Sequence, residues 1–401
     1  MQKRTYIPLL LAAALLTFLP ARTGKVLAQS AICGTFSDVP SSSVYCPFIL
    51  EAFITNITQG TSATTFNPND NVNRNQAATF LTRTMDGTLH RASIRSAIGK
   101  SWSPTSSNGS VITDVGGRIT DIVTDGTYLW IARADSKVLK VGAADRRSLE
   151  TWTIPSNAPQ KLGVFAGLVW IADDQGNLYN FNPTGTAGAA SPVLTNFGIP
   201  PGPPTLAFDG SNVWWASANG TKIAIYPVAS PGNFTFSLGT NVNIDGMVFD
   251  GTNMWVLTSD SRLSKLNIPS STGAVPTVVE TVTIPGVVND CRMLYDGGNI
   301  WVPIGTTGTL YVIRPSPGAG VASLIVKNEA IPDVAYPYVA AFDTENVMIA
   351  GLNNGSVALY KATSLTHIRT VGSPATGVRG LASDGRTFNL GDTNLTKFYQ
   401  F

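Results

Sequence analysis

A chain of 401 residues has room for more than one domain, and its net charge of +2 lacks the basic excess that nucleic-acid binding demands. Charged residues make up only 13% against 43% hydrophobic, with 38 glycines and 25 prolines, a balance that favours an all-β exported protein over a helical cytosolic one. The two histidines, His90 and His367, weigh against imidazole-based catalysis.

Residues 1–28 read as a secretory signal. Lys3 and Arg4 give a positive start, Ile7 to Leu19 is an apolar run, and Val26-Leu27-Ala28 precedes a plausible cut. The run is short for crossing a bilayer, so cleavage is preferred over a permanent anchor. No later segment is apolar enough to span, and the mature chain is expected to be exported, with no membrane attachment after signal removal. Residues 29–86 form the next unit. Cys33 and Cys46 lie close together in a chain bound for oxidising surroundings, which predicts a disulfide stapling a domain too small to rely on core burial alone. Helical patterning runs from Cys46 to Phe53, with Phe48, Ile49, Ala52 and Phe53 on its apolar face. Asn73 is a good helix N-cap, and Gln76 three residues later completes a capping box. Ala77, Phe80 and Leu81 are expected to be that second helix's buried side. Residues 87–109 are rich in Ser, Pro and Asn and read as a linker, with His90 a bystander.

The landmarks Phe36-Ser37-Asp38-Val39, Gln59-Gly60, Phe66-Asn67-Pro68, Val72-Asn73-Arg74-Asn75-Gln76, Phe80-Leu81 and Arg83 together resemble one S-layer homology repeat. The resemblance implies a helix-loop-helix unit that attaches an exported protein to cell-wall polysaccharide or peptidoglycan, with other envelope proteins as further candidate partners. Members often carry three tandem repeats, and this chain has one. The family's Thr-Arg-Ala-Glu signature stands here as Asn73-Arg74-Asn75-Gln76, keeping the Arg and losing the Glu. Arg74 and Asn73 are therefore the candidate wall-binding residues. A guanidinium in the first turn of a helix, beside unpaired N–H groups, suits an acidic sugar substituent. The competing reading is a plain capped helix with a solvated Arg74.

From residue 110 onward the sequence repeats. Asp-Gly-x-x-x-Trp occurs at Asp125 to Trp130, Asp209 to Trp214, Asp250 to Trp255 and Asp296 to Trp301. Trp170 lacks the Asp-Gly pair, Asp343 leads to Met348, and Asp384-Gly385 leads to Asn389. The marker positions 130, 170, 214, 255, 301, 348 and 389 are spaced by 40 to 47 residues, the mark of a radial repeat. Asp-Gly is a turn signal and each Trp is expected to pack between repeats. Each copy reads as four short strands. The last is one strand short before Phe401, and Ser110 to Asp114 supplies the missing strand by closing the ring. The fold class is thus mainly β: a seven-bladed β-propeller over 110–401, with a small helical unit before it. The blades resemble bacterial propellers of the virginiamycin B lyase-like, NHL-like and YncE-like kind, a likeness that marks architecture.

Propellers bind where loops lead into the innermost strands. Four or five residues before each Asp position stand Asp121, Lys161, Thr205, Asp245, Arg292, Tyr338 and Arg379, with Asp290 nearby, a mixed ring suited to a polar or charged ligand. Ordinary polar residues lining a wet channel are the alternative. No catalytic residue, cofactor or metal is assigned: His and Cys spacing gives no metal site, and nucleophile-elbow and phosphate-loop motifs are missing. Cys291 reads as a buried free thiol. The expected function is a non-catalytic binding platform. The alternative is a lyase or hydrolase acting on a polysaccharide or cyclic ester, with Asp121, Asp245 and Asp290 as acid–base groups.

Overall fold

The computed structural model describes residues 32–401 except 55–56, 75, 86–109, 144, 156–157, 196, 230–231, 269–273, 287–290, 317–321, 374, 386 and 395. The expected signal, the linker with His90, Asn75 and Asp290 lie outside the described residues. The chain divides into two compact units, Met1–Gly87 and Thr88–Phe401. Among the described residues no helix is long and apolar enough to cross a membrane.

In the small unit, Ile32–Cys33 pairs antiparallel with Phe36–Pro40, and the helix Cys46–Ile54 follows. The Cys33–Cys46 disulfide joins the first strand to the start of that helix, with Cα atoms 5.7 Å apart. Among the described residues, Cys33, Phe36, Val39, Cys46 and Ile49 make the buried apolar core, with Leu50, Phe53 and Phe66 packed against it. So small a core stabilises little by burial, and a disulfide restricting the unfolded chain compensates. Asp38 pins the following loop: its carboxylate accepts the backbone N–H of Phe66 at 2.9 Å and of Asn67 at 2.6 Å. These bonds, Phe66 first, hold the Asp38 carboxyl below its ordinary 3.8.

Two expectations about this unit fail. Phe48 is 68% exposed, and on the second helix (residues 76–85) Leu81 is 67% exposed and Ala77 is exposed as well. Both stretches are helical, but the described core takes up one side of the first helix through Cys46, Ile49, Leu50 and Phe53 and includes no residue of the second. Periodicity gives a helix its apolar face without saying whether a neighbour exists to cover it.

The large unit is a closed ring of seven four-stranded antiparallel sheets. The first blade runs Ile119–Thr124, Tyr128–Arg133, Lys137–Gly142 and Ser148–Thr153 from the axis outward. The seventh is Val378–Ser383, Phe388–Asp392 and Lys397–Gln400, with Ser110–Asp114 as its outer strand. Val111 pairs with Tyr399 and Asp114 with Lys397, so the two ends of the ring are hydrogen-bonded together as expected. The innermost strands touch in an unbroken circuit from blade 1 through blade 7 and back. Closure leaves no inner sheet edge to recruit a second chain.

Each blade buries both faces, one against each neighbour. Alternation along Tyr128–Arg133 sends Trp130 and Ala132 into a core with Leu162, Val169 and Ile171 of blade 2. It sends Leu129 and Ile131 into a core with Ala382 and Phe398 of blade 7. Lysines bolt some of these joints. Lys140, paired across the sheet from Trp130, has its ammonium 4.4 Å from the Tyr128 ring and donates to the Pro183 carbonyl of blade 2 at 3.0 Å. Lys265, opposite Trp255, donates likewise to Ser316 Oγ of blade 5 at 2.8 Å.

The Asp-Gly-x-x-x-Trp motif is one hydrogen-bonded device. In blade 3, Asp209 Oδ1 accepts the N–H groups of Ser211 and Asn212 at 2.8 and 2.7 Å, while Oδ2 accepts the buried indole N–H of Trp214 at 2.7 Å. The same indole bond measures 2.9 Å at Asp125, 2.7 Å at Asp250 and 2.6 Å at Asp296. Gly210 takes φ +94°, a backbone conformation that side chains with a Cβ disfavour. The five-residue spacing is thus set by a carboxylate bridging a turn and a buried ring. Where Asp is missing, Trp170 donates instead to the Phe165 carbonyl at 3.1 Å. In blade 7, where Asn389 stands at the Trp position, Asp384 Oδ2 accepts the Thr387 hydroxyl at 3.1 Å and Arg146 of blade 1 at 2.8 Å, so this carboxylate makes an inter-blade ion pair.

Candidate functional sites

In the small unit the second helix begins as its sequence foretells. Asn73 N–H donates to Gln76 Oε1 at 2.9 Å, and Gln76 N–H to Asn73 Oδ1 at 2.9 Å, a reciprocal capping box. This frees Arg74 from any capping duty. Its side chain is exposed and makes no hydrogen bond or ion pair with another described residue. Arg83, the other basic landmark, donates to the Ile57 carbonyl at 3.2 Å and fastens the loop.

In the large unit the innermost strands carry a repeated irregularity. The register shifts around Thr120, Gln160, Asp245, Tyr338 and Arg379, each an extra residue in the strand nearest the axis. A bulge bends its strand and re-aims the side chains beside it. Inner strands also come unusually close: a Cβ on Gly246 would lie 2.5 Å from the Cys291 carbonyl, and one on Gly380 would lie 2.6 Å from the Ile122 nitrogen.

Five of the axial residues read from the sequence meet here. Asp121, only 1% exposed, accepts the Arg292 guanidinium from blade 5, the Lys161 ammonium at 3.5 Å and the Leu162 N–H at 2.8 Å. Arg292 also donates to the carbonyls of Arg379 at 2.7 Å and Gln160 at 3.0 Å. The Tyr338 ring lies 5.2 Å from the Arg292 guanidinium and 5.6 Å from that of Arg379. Arg292 therefore spans the axis and ties blade 5 to blades 7, 1 and 2. Thr205 sits beside Lys161 and Arg292 around a cavity of about 70 Å³, which the buried Cys291 also lines; Cys291 is in no disulfide, as expected, and its thiol donates to the Pro303 carbonyl at 3.0 Å. Asp245 is buried on blade 4, and its carbonyl accepts the Cys291 N–H at 2.9 Å.

Above this floor opens a mouth of about 500 Å³ over blades 7, 1, 2 and 3. Arg118, Thr120, Gln160 and Arg379 line it from the starts of inner strands, and Asp174, Asn219, Thr393 and Asn394 line it from the turns after second strands. Pro201, Gly202 and Pro203 form its far wall. Of this lining the sequence reading picked out only Arg379. Thr120 and Gln160 were missed by a single position, because a bulge shifts which residue of the pair points to the mouth. Asn219 and Asn394 each stand five residues after their markers Trp214 and Asn389, with Asp174 one place earlier in its own copy, and that recurrence after the second strand is the signal that could have found them. Among the described residues no group of His, Cys, Asp and Glu could hold a metal ion. His367, on the outer strand Thr366–Val371 of blade 6, bonds Thr370 Oγ1 at 2.9 Å, away from the axis.

Residues 35–78 match the model of the S-layer homology domain. No curated protein matches the chain in sequence. Among solved structures, the β-propeller domain of Myceliophteria thermophila Cps50 (Swd1) is similar with a TM-score of 0.59 at 11% identity, over 73% of this chain and 98% of that one. The WD40 β-propeller domain of Doa1 gives a TM-score of 0.56 at 10% identity, over 73% of this chain and 95% of that one. At such identities the likeness concerns the propeller fold alone. The chain thus carries an S-layer homology domain and a seven-bladed propeller, and the former implies a place at the bacterial cell surface or envelope.

Proposed function

We propose that this is an exported envelope protein whose S-layer homology domain holds it to cell-wall polysaccharide while its propeller serves as a non-catalytic binding platform. The observation that carries the first half is the exposed Arg74 at the capped start of a helix within the matched residues. A guanidinium there, next to the positive end of the helix, favours an acidic sugar substituent. The signal-like residues 1–28 support export. For the second half, Asp121 is engaged at both carboxylate oxygens by partners from blades 2 and 5. That supports a locking role over acid–base chemistry and leaves the polar mouth as the platform's working surface.

Pelleting the full chain with purified cell walls tests the tether. Arg74→Gln is expected to cut the bound fraction about tenfold, the scale of one charge-assisted contact. Asn73→Ala, which frays the helix start, is expected to cut it less. Undiminished pelleting of Arg74→Gln would sink the tether. Release of new reducing ends from wall material by wild type, abolished in Asp121→Asn, would replace the platform with an enzyme.

A further inference from the structure

We infer that the mouth over blades 7, 1, 2 and 3 takes an acidic saccharide, holding its carboxylate with Arg118 and Arg379; this rests on the platform reading above. At about 500 Å³ the mouth falls inside the roughly 300–1,000 Å³ typical of small-molecule sites.

The cations of this region divide sharply. Arg292 and Lys161 are committed to Asp121 beneath the mouth. The side chains of Arg118 and Arg379 make no hydrogen bond or ion pair with another described residue, and the Arg379 guanidinium lies 5.6 Å from the Tyr338 ring. A guanidinium held on an aromatic face keeps its N–H donors for a ligand, and a carboxylate is the partner that fits its fork. Arg292 contributes from below: by donating to the carbonyls of Gln160 and Arg379 it fixes the backbone from which those two lining side chains rise.

The rest of the lining selects a hydroxylated acid over a bare anion. Asp174 brings a carboxylate, and the amide of Asn219, whose Nδ2 is bonded to the Pro201 carbonyl at 2.9 Å, keeps its oxygen as an acceptor. Asn394 is placed alike, its Nδ2 on Thr376 Oγ1 at 3.0 Å. Acceptors of this kind want hydroxyl donors, which a sugar acid offers on several carbons and inorganic phosphate near neutral pH offers at no more than two oxygens. Among the described residues no aromatic ring lines the mouth, so a neutral sugar finds no face there to stack on. Charge decides the ligand here, with two guanidinium groups against one carboxylate.

Isothermal titration calorimetry on the full chain at low salt tests this, using digalacturonate, its dimethyl ester, galactobiose and inorganic phosphate. Digalacturonate is expected to bind at least tenfold more tightly than the other three, and its affinity is expected to fall as KCl rises. Arg118→Gln and Arg379→Gln should each weaken it at least tenfold, with Arg379→Lys in between and circular dichroism checking the fold. Equal affinity for acid and ester, phosphate binding as tightly as the saccharide, or no binding of digalacturonate would each overturn the assignment. The ester comparison needs no variant, so a misfolded mutant does not blunt it. Wall pelleting of the same preparation keeps the two readings apart. A chain that pellets through Arg74 yet ignores digalacturonate loses the ligand class and keeps the tether.

Discussion

The two units of this chain reach stability by opposite routes. The propeller buries both faces of every blade and closes on itself, so its strength is spread over seven similar joints. The S-layer homology domain has, among its described residues, a five-residue core, one disulfide and a carboxylate-pinned loop. In the ring, polar groups such as Asp209 and Lys265 are buried and fully used. In the small unit, large apolar groups such as Phe48 and Leu81 are left in water. A repeat can afford buried polarity because each neighbour supplies the partner.

That contrast can be broken by substitution. The largest effect is expected from Arg292→Met, which leaves Asp121 buried with only part of its compensation and should cost about 3–5 kcal/mol. Calorimetric unfolding should show it in the propeller transition alone. Cys33→Ser with Cys46→Ser removes the staple of the small unit and should cost about 3 kcal/mol there. The propeller's melting temperature should not move, and a shift in both transitions would show the units to be coupled. Asp209→Ala strands the buried indole N–H of Trp214 and should cost about 2 kcal/mol, read in the ring's urea midpoint.

The smallest expected effect is acid sensitivity. Asp38 is held below its ordinary value by the N–H groups it accepts, so its contribution is complete above pH 3.8 and is lost as pH falls through the lower folded value. Asp114, lowered by the Thr396 hydroxyl and then the Gly116 N–H, should behave likewise where the ring closes. Asp38→Asn should flatten the acid limb of the small unit's stability below pH 3.8 and leave the ring's limb intact.

Much of the ring was legible because its signals are local and repeated. Asp-Gly gives a turn, the Trp spacing gives a period, and the short seventh copy required a strand from elsewhere. The capping box and the disulfide were legible for the same reason: their partners lie within a few residues or in one small unit. The mouth was harder. Picking Asp121 and Lys161 found the floor and overlooked Thr120 and Gln160, since a bulge moves a side chain's direction by one residue without changing composition.

The sequence by itself determined the seven blades, the closing strand, the cap before Arg74 and the Cys33–Cys46 pairing, all matters of pattern along the chain. Only the tertiary structure decided that Arg292 would cross the axis to Asp121, that Arg118 and Arg379 would stay unspent, and that Phe48 and Leu81 would face water. Those outcomes depend on which groups from distant blades or helices arrive at the same place, and no periodicity within a chain encodes what stands opposite it.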